Sequence, residues 1–218
     1  MPETLESHVE YTRREWESPY YQDCINYIND KSNCTSFVDL GGCVGEVTNV
    51  IMERISSLKT FHIVEPVREN FEFIVKKFNG NIEANELENY YSIEIEDKVI
   101  KVYNKAIYYG SDEIILGQLS DYTNVGGWSY SEKHNQNVIG SIKTMDLEEI
   151  KASDIIKIDI EGLELNLLQN SKSIKKFRFI FLELHDDLLE NYEELLEKYL
   201  PGHNLVYKEN QQFFLELL

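Results

Sequence analysis

Cysteine, proline and positive charge are all scarce in this 218-residue chain. The three cysteines, Cys24, Cys34 and Cys43, are an odd number without a Cys-x-x-Cys pair, too few to staple a domain of this size, so a reducing compartment is expected. Lysine and arginine number 21 against 39 aspartates and glutamates, a net charge of −18 that repels phosphate backbones and anionic lipid surfaces. The nearest basic grouping, Lys172, Lys175, Lys176 and Arg178, reads as a solvated helix end and loop. No run approaches the roughly 18 apolar residues of a membrane span, and Met1 to Arg14 lacks the apolar stretch of a signal peptide. Internal repeats and low-complexity tracts are also missing. These absences predict a soluble, cytoplasmic protein that inserts in no membrane and has no nucleic-acid partner. Asn33-Cys34-Thr35 matches a glycosylation acceptor, but a three-residue match is common by chance and the cysteine usage argues against secretion.

What the chain does contain is an alternation of strand and helix patterns. Trp16 to Asp30 carries apolar residues at three- and four-residue steps and predicts an amphipathic helix. Ser36 to Leu40 reads as a strand, broken at Gly41-Gly42, and Val44 to Ile55 resumes with helical spacing. Thr60 to Val64 is a second strand ended by Glu65-Pro66, followed by a helix through Phe71, Ile74, Val75 and Phe78. Ile82 to Leu119 has a strand-like pattern of uncertain pairing, and Gly117 to Asn137 reads as a long loop of the kind that serves function. Further on come a strand at Ile155 to Ile160, a helix at Leu163 to Ser173, a strand at Phe177 to Leu184 and a helix from Leu188 to Tyr199, stopped by Pro201-Gly202. Leu205 to Tyr207 and Phe213 to Leu217 predict a closing antiparallel hairpin. Such an order predicts an α/β fold with a mostly parallel sheet and right-handed crossovers. The expected organisation is one domain over residues 36–218, carrying a helical extension over residues 1–35.

Four groups of residues carry chemistry. Asp39-Leu40-Gly41-Gly42-Cys43-Val44-Gly45 is a D-x-G-x-x-x-G turn between a strand and a helix, where glycine lets the backbone bend and a ligand approach. It lacks the G-x-G-x-x-G spacing that seats a pyrophosphate, so it suits S-adenosylmethionine better than NAD. Glu65 ends the second strand, where an acid is placed to accept hydrogen bonds from both ribose hydroxyls of an adenosyl group, or else to cap the next helix. Lys157, Asp159 and Glu161 alternate with isoleucines, which is costly inside a parallel sheet unless the charges face the cleft at the strand ends. Phe181 to Asp187 ends the next strand with Glu183, His185, Asp186 and Asp187.

Taken in order from Phe37 to His185, Val38 to Gly45, Val64-Glu65-Pro66, Asn104-Lys105-Ala106-Ile107, Lys157 to Glu164 and Leu182 to His185 resemble the FkbM-like methyltransferases. The Lys157-Ile158-Asp159-Ile160-Glu161-Gly162-x-Glu164 string is the most distinctive part; Gly42-Cys43 departs from the Ala-Asn usual in that family's first turn. The resemblance implies a Rossmann-like seven-stranded methyltransferase sheet, S-adenosylmethionine as donor, and O-methylation of a sugar, glycan or other small hydroxylated molecule. Asp39, Gly41, Gly42 and Gly45 would then shape the methionine pocket, Glu65 would hold the ribose, and Asn104 and Ala106 would lie along the adenine and sulfonium side. Asp159 and Glu161 would border the transferred methyl group.

An alcohol must lose its proton as it attacks, which asks for a base within hydrogen-bond reach; Asp159 is the first choice, with Glu161 and His185 behind it. A variant places a divalent ion, Mg or Mn, on Asp159, His185 and Asp186. Trp128, Tyr130, His134 and Glu183 are the expected acceptor contacts, because aromatic faces pack on sugar faces and polar neighbours bond hydroxyls. Other readings stay open: a non-catalytic binding or assembly domain on this fold, a protein or non-sugar acceptor, and a domain cut from a larger glycan-processing polypeptide.

Overall fold

A computed structural model describes residues 4–31, 33–85, 90–118, 128–129, 137–185 and 188–218. Two helices come first, α1 (Leu5–Trp16) and α2 (Pro19–Lys31). The helix expected from Trp16 to Asp30 is α2, which starts at Pro19, where the missing N–H costs nothing, and α1 is a separate helix before it. The α/β core follows as β1 (Ser36–Leu40), α3 (Glu46–Arg54), β2 (Thr60–Val64) and α4 (Arg68–Lys77). Next come five strands without an intervening helix: β3 (Asn81–Asn85), β4 (Tyr90–Ile95), β5 (Lys98–Tyr103), β6 (Ala106–Ile107) and β7 (Glu113–Gln118). Two more strands follow, β8 (Trp128–Ser129) and β9 (Asn137–Met145). The alternation resumes with β10 (Ile155–Ile158), α5 (Glu164–Asn170), β11 (Phe179–Glu183) and α6 (Tyr192–Tyr199), then closes on β12 (His203–Glu209) and β13 (Gln212–Leu217).

The main sheet runs β12-β13-β11-β10-β1-β2-β5-β4-β3. β11, β10, β1, β2 and β5 are mutually parallel, while β13 joins β11 antiparallel and β12 pairs back on β13. The expected mostly parallel sheet with a closing hairpin is therefore present, and the antiparallel β3–β4 pair extends it beyond β5. A smaller sheet, β6-β9-β7-β8, lies apart from it.

Burial explains why the central strands read as unbroken apolar runs. Along β1, Phe37 packs with α2, α3 and α4 on one face, whereas Val38 and Leu40 pack with α5 and α6 on the other. With both faces covered, side chains that reach a ligand must come from the loops at the strands' carboxyl ends. Among the described residues no helix is long and apolar enough to cross a membrane.

Candidate active site

A cleft of about 510 Å3 opens at those carboxyl ends, a size suited to a small molecule. One end of it is the turn after β1. Gly41 has φ +80°, and a Cβ there would stand 1.8 Å from the carbonyl oxygen of Asp159. The absence of a Cβ therefore also admits the backbone that follows β10. Gly41 and Gly42 donate to the Val64 carbonyl, 3.0 and 3.1 Å, tying the turn to β2. At the end of β2 lies Glu65, 3% exposed, whose two carboxylate oxygens accept from Cys43 N (2.7 Å) and Val67 N (2.8 Å). Burial lifts its pKa to about 7 against the pull of those two donors. Each oxygen keeps a lone pair for a further donor. The helix-entry role and the ligand-facing role are therefore compatible in one side chain.

The other end of the cleft is a charge cluster. Lys157, the one charged residue within β10, is buried; its ammonium donates to the Gly41 carbonyl at 2.8 Å and pairs with Asp159 at 3.2 Å and Asp39 at 3.5 Å. Burial works against that charge, but the two carboxylates outweigh it and raise the Lys157 pKa. Asp39, wholly buried, accepts from Thr48 Oγ1 at 2.8 Å, and burial raises its pKa against the Lys157 charge. Beyond β10 the chain turns sharply through Glu161 (φ +52°) and Gly162 (φ +100°). A left-handed glutamate is uncommon and strained, and here it stands where its carboxylate meets His185.

His185, two residues past β11, is held from behind and faced in front by carboxylates. Its Nδ1 lies 3.2 Å from Glu164 Oε1, and its Nε2 is 3.7 Å from Glu161, 3.7 Å from Glu183 and 3.9 Å from Asp159. Glu164, fully buried at the start of α5, also accepts from the backbone N–H groups of Ile160 and Gly162, so it fixes both the turn and the imidazole. Burial disfavours a charged His185, yet the hydrogen bond and charge of Glu164, with Glu161 and Asp159 behind, carry its pKa up to about 9. Glu161 is pushed up to about 8 by burial and then by Asp159. Glu183 rises to about 6 for the same two reasons, while accepting from Gln211 (2.9 Å) and Gln212 (2.6 Å) of the closing hairpin. The result is a half-buried acid–base cluster in which Glu183 titrates below neutrality and Glu161 and His185 above it. Perturbed groups gathered in a cleft are the usual mark of a reactive site.

Residues 39–208 match the family model described as the methyltransferase FkbM domain. The chain belongs to the FkbM methyltransferase family. Its fold resembles an FkbM methyltransferase structure from Methylobacillus flagellatus KT with a TM-score of 0.55 at 16% identity, covering 85% of this chain and 44% of that one. This chain thus spans less than half the length of that relative. Two further solved structures are similar at lower scores. The precorrin-6Y C5,15-methyltransferase of Geobacter metallireducens GS-15 has TM-score 0.48 and 8% identity, with 91% and 87% of the chains covered. TrmK of M. capricolum, in complex with S-adenosyl-homocysteine, has TM-score 0.44 and 12% identity, with 91% and 66% covered. None of the curated proteins matches the chain.

Within this FkbM domain Gly41, Gly42, Glu65, Ala106, Asp159, Glu161, Glu183 and His185 all line the one cleft. Asp39, Gly45 and Asn104 stand behind its wall. Asp39 anchors Lys157, Gly45 (φ +68°) begins α3, and Asn104 donates to the carbonyls of Glu65 and Pro66, bracing the loop that carries the acid. Of Trp128 only the backbone, in β8, is described; Tyr130, His134 and Asp186 lie outside the described residues. Sequence reasoning included Glu164 within the Lys157–Glu164 string but gave it no role of its own, and it expected a helical extension over residues 1–35 without making α1 a wall of the cleft. The available signal for α1 was Leu5, Val9 and Trp16 at helical spacing behind a Thr4–Ser7 capping box.

Proposed function

We propose that this FkbM domain is an S-adenosylmethionine-dependent O-methyltransferase whose acceptor is a hydroxyl of a sugar or glycan, a deoxyhexose-type acceptor being favoured. The observation that carries the reading is that one cleft joins Glu65 and the Gly41-Gly42 turn at one end to the Asp159, Glu161 and His185 cluster at the other. Glu65 holds the ribose hydroxyls, the backbone of Gly41 and Gly42 borders the methionine portion, and Ala106 packs on the adenosyl side. Asp39, Gly45 and Asn104 support these contacts from behind.

Transfer from a sulfonium is an in-line displacement, so the domain's first task is to hold acceptor oxygen, methyl carbon and sulfur in line. The second is to take the hydroxyl proton. Asp159 fits this role best: Lys157 fixes one of its oxygens, and its neighbours His185 and Glu161, with pKa values lifted to about 9 and about 8, are protonated near neutrality. His185, held by Glu164, then supplies a positive charge to the cluster as the proton arrives. Trp128, Tyr130, His134 and Glu183 remain the proposed acceptor contacts.

A second reading has its own observation. Donor atoms of Asp159, Glu161 and His185 all lie within 4.8 Å of one another, a carboxylate and imidazole set that suits Mg or Mn. Glu164 on His185 Nδ1 supplies the outer hydrogen bond that orients a ligating imidazole. These residues fit a divalent ion, and such an ion would supply acidity to the acceptor hydroxyl. A net charge of −18 favours a small acceptor over nucleic acid, and a chain with only three cysteines and no Cys-x-x-Cys pair fits a cytoplasmic location.

The test is incubation with methyl-labelled S-adenosylmethionine and a panel of deoxyhexose glycans, with and without EDTA. Label on a hydroxyl oxygen, lost by at least about a hundredfold in kcat in Asp159→Asn while cofactor affinity is kept, is the expected result. Label on nitrogen or carbon would refute O-methylation, and undiminished transfer in EDTA would remove the metal.

A further inference from the structure

Helix α1 lies outside the segment that matches the family model, residues 39–208. Yet His8, Tyr11, Thr12, Glu15 and Trp16 line the cleft, so the wall over the charge cluster is built by an element the matched segment does not include. That wall is firmly placed. Arg13 bonds the buried Glu46 at 2.6 Å and Glu53 at 2.8 Å, both on α3, and Lys77 of α4 meets Glu46 from the other side. At the helix end Trp16 is buried, stacks on Tyr21 at 4.1 Å and rests against Phe181 at 5.2 Å. A helix pinned at its back and its end presents its inner side chains to the cleft in a fixed array, which is what preorganised recognition requires.

Glu15 is the charged member of that array. Among the described residues no hydrogen bond or ion pair reaches its carboxylate, whereas Glu10 of the same helix and Glu17, just past its end, pair with arginines. Burial and then the charge of Asp159 raise the pKa of Glu15, so the residues around it offer its carboxylate too little compensation. Lys157 and His8 pull that pKa back only in part: Lys157 is shared by Asp39, Asp159 and two carbonyls, and His185, the other cationic group of the cluster, is held among Glu164, Glu161, Glu183 and Asp159. Asp159, whose charge acts on Glu15, lines the same cleft. A partly buried carboxylate without a cation is costly unless a ligand supplies one.

We infer that α1 is a ligand-reading wall of the cleft and that Glu15 reads a primary ammonium group on what binds there. The inference rests on the methyltransferase reading above, which offers two sources of that group: the α-ammonium of the S-adenosylmethionine amino-acid portion, or an amino substituent on the acceptor. Both use the same chemistry, a charge-assisted hydrogen bond from N–H to the Glu15 carboxylate, and no covalent step.

The full chain and its Glu15→Gln variant are titrated by calorimetry with S-adenosylhomocysteine, with 5′-methylthioadenosine, which lacks the amino acid, and, on the S-adenosylhomocysteine-loaded protein, with glucosamine and glucose. Glu10→Gln, on the exposed face of α1, is the control, and thermal melts check that both variants are folded. If the cofactor is the source, Glu15→Gln weakens S-adenosylhomocysteine by about tenfold or more and leaves methylthioadenosine unchanged. If the acceptor is the source, both adenosyl ligands bind as before and the preference for glucosamine over glucose is lost. A Glu15→Gln protein that matches the wild type with all four probes overturns the inference while leaving the methyltransferase reading intact. Wild-type protein that binds no S-adenosylhomocysteine refutes both.

Discussion

Replacing Glu65 with glutamine separates the cost of this carboxylate from its use. Its pKa is lifted from an ordinary 4.5 to about 7 by burial. A raised carboxylate pKa contributes stability that is fully present below the unfolded value and is lost as pH rises through the folded one. Between pH 5.5 and pH 8 the wild type should therefore lose about 2 kcal/mol relative to a neutral isostere, from the linkage integral with these two pKa values. Glutamine also places an NH2 against either Cys43 N–H or Val67 N–H, forfeiting one accepted bond, an offset of about 1–3 kcal/mol that does not vary with pH. The prediction thus concerns the slope. In urea unfolding at pH 5.5, 6.5 and 8, Glu65→Gln should gain about 2 kcal/mol on the wild type across the range. A bound ribose donating to the ionised carboxylate should flatten the wild-type slope, so saturating S-adenosylhomocysteine should shrink the difference. A stability gap constant to within about 0.5 kcal/mol over that range, a margin expected of an ordinary surface change, would refute the reasoning.

Glu164→Gln removes the charge that holds His185 protonated, so the imidazole pKa measured by NMR should fall from about 9 toward its ordinary value. Its kcat should drop about ten- to a hundredfold with a shifted pH profile, which a merely structural role would not produce. Lys157→Met leaves Asp39 buried with Thr48 alone and should destabilise the domain by about 3–5 kcal/mol in urea unfolding. Adding Asp39→Asn should recover a substantial part of that loss, because the uncompensated charge goes with it.

The legible parts of the fold were those whose pattern is local. β1, β2, β10 and β11 are short apolar runs closed by Gly41, Glu65-Pro66, Glu161-Gly162 and His185, and each turn lies at the cleft. The illegible part was β3 to β9, whose pairings are set at long range: β7 pairs with β9 and β6 with β9, so the small sheet forms only after an intervening stretch of chain. Site residues divide the same way. Asp159, Glu161 and His185 announced themselves as charges at the ends of apolar strands. Asp39 and Asn104 belong to the same motifs but act one layer back, which spacing does not distinguish. Glu15 and Glu164 sit on helices where acids are ordinary, and only the packing of α1 and the position of His185 give them a role.

The most direct test of the account is calorimetric titration of the purified protein with S-adenosylhomocysteine and, separately, with NAD, with EDTA present and absent, repeated on Glu65→Ala. The account predicts saturable S-adenosylhomocysteine binding that weakens by about tenfold or more in the variant, and no NAD binding. Failure to bind S-adenosylhomocysteine in either buffer, or equal affinity in Glu65→Ala, would contradict it.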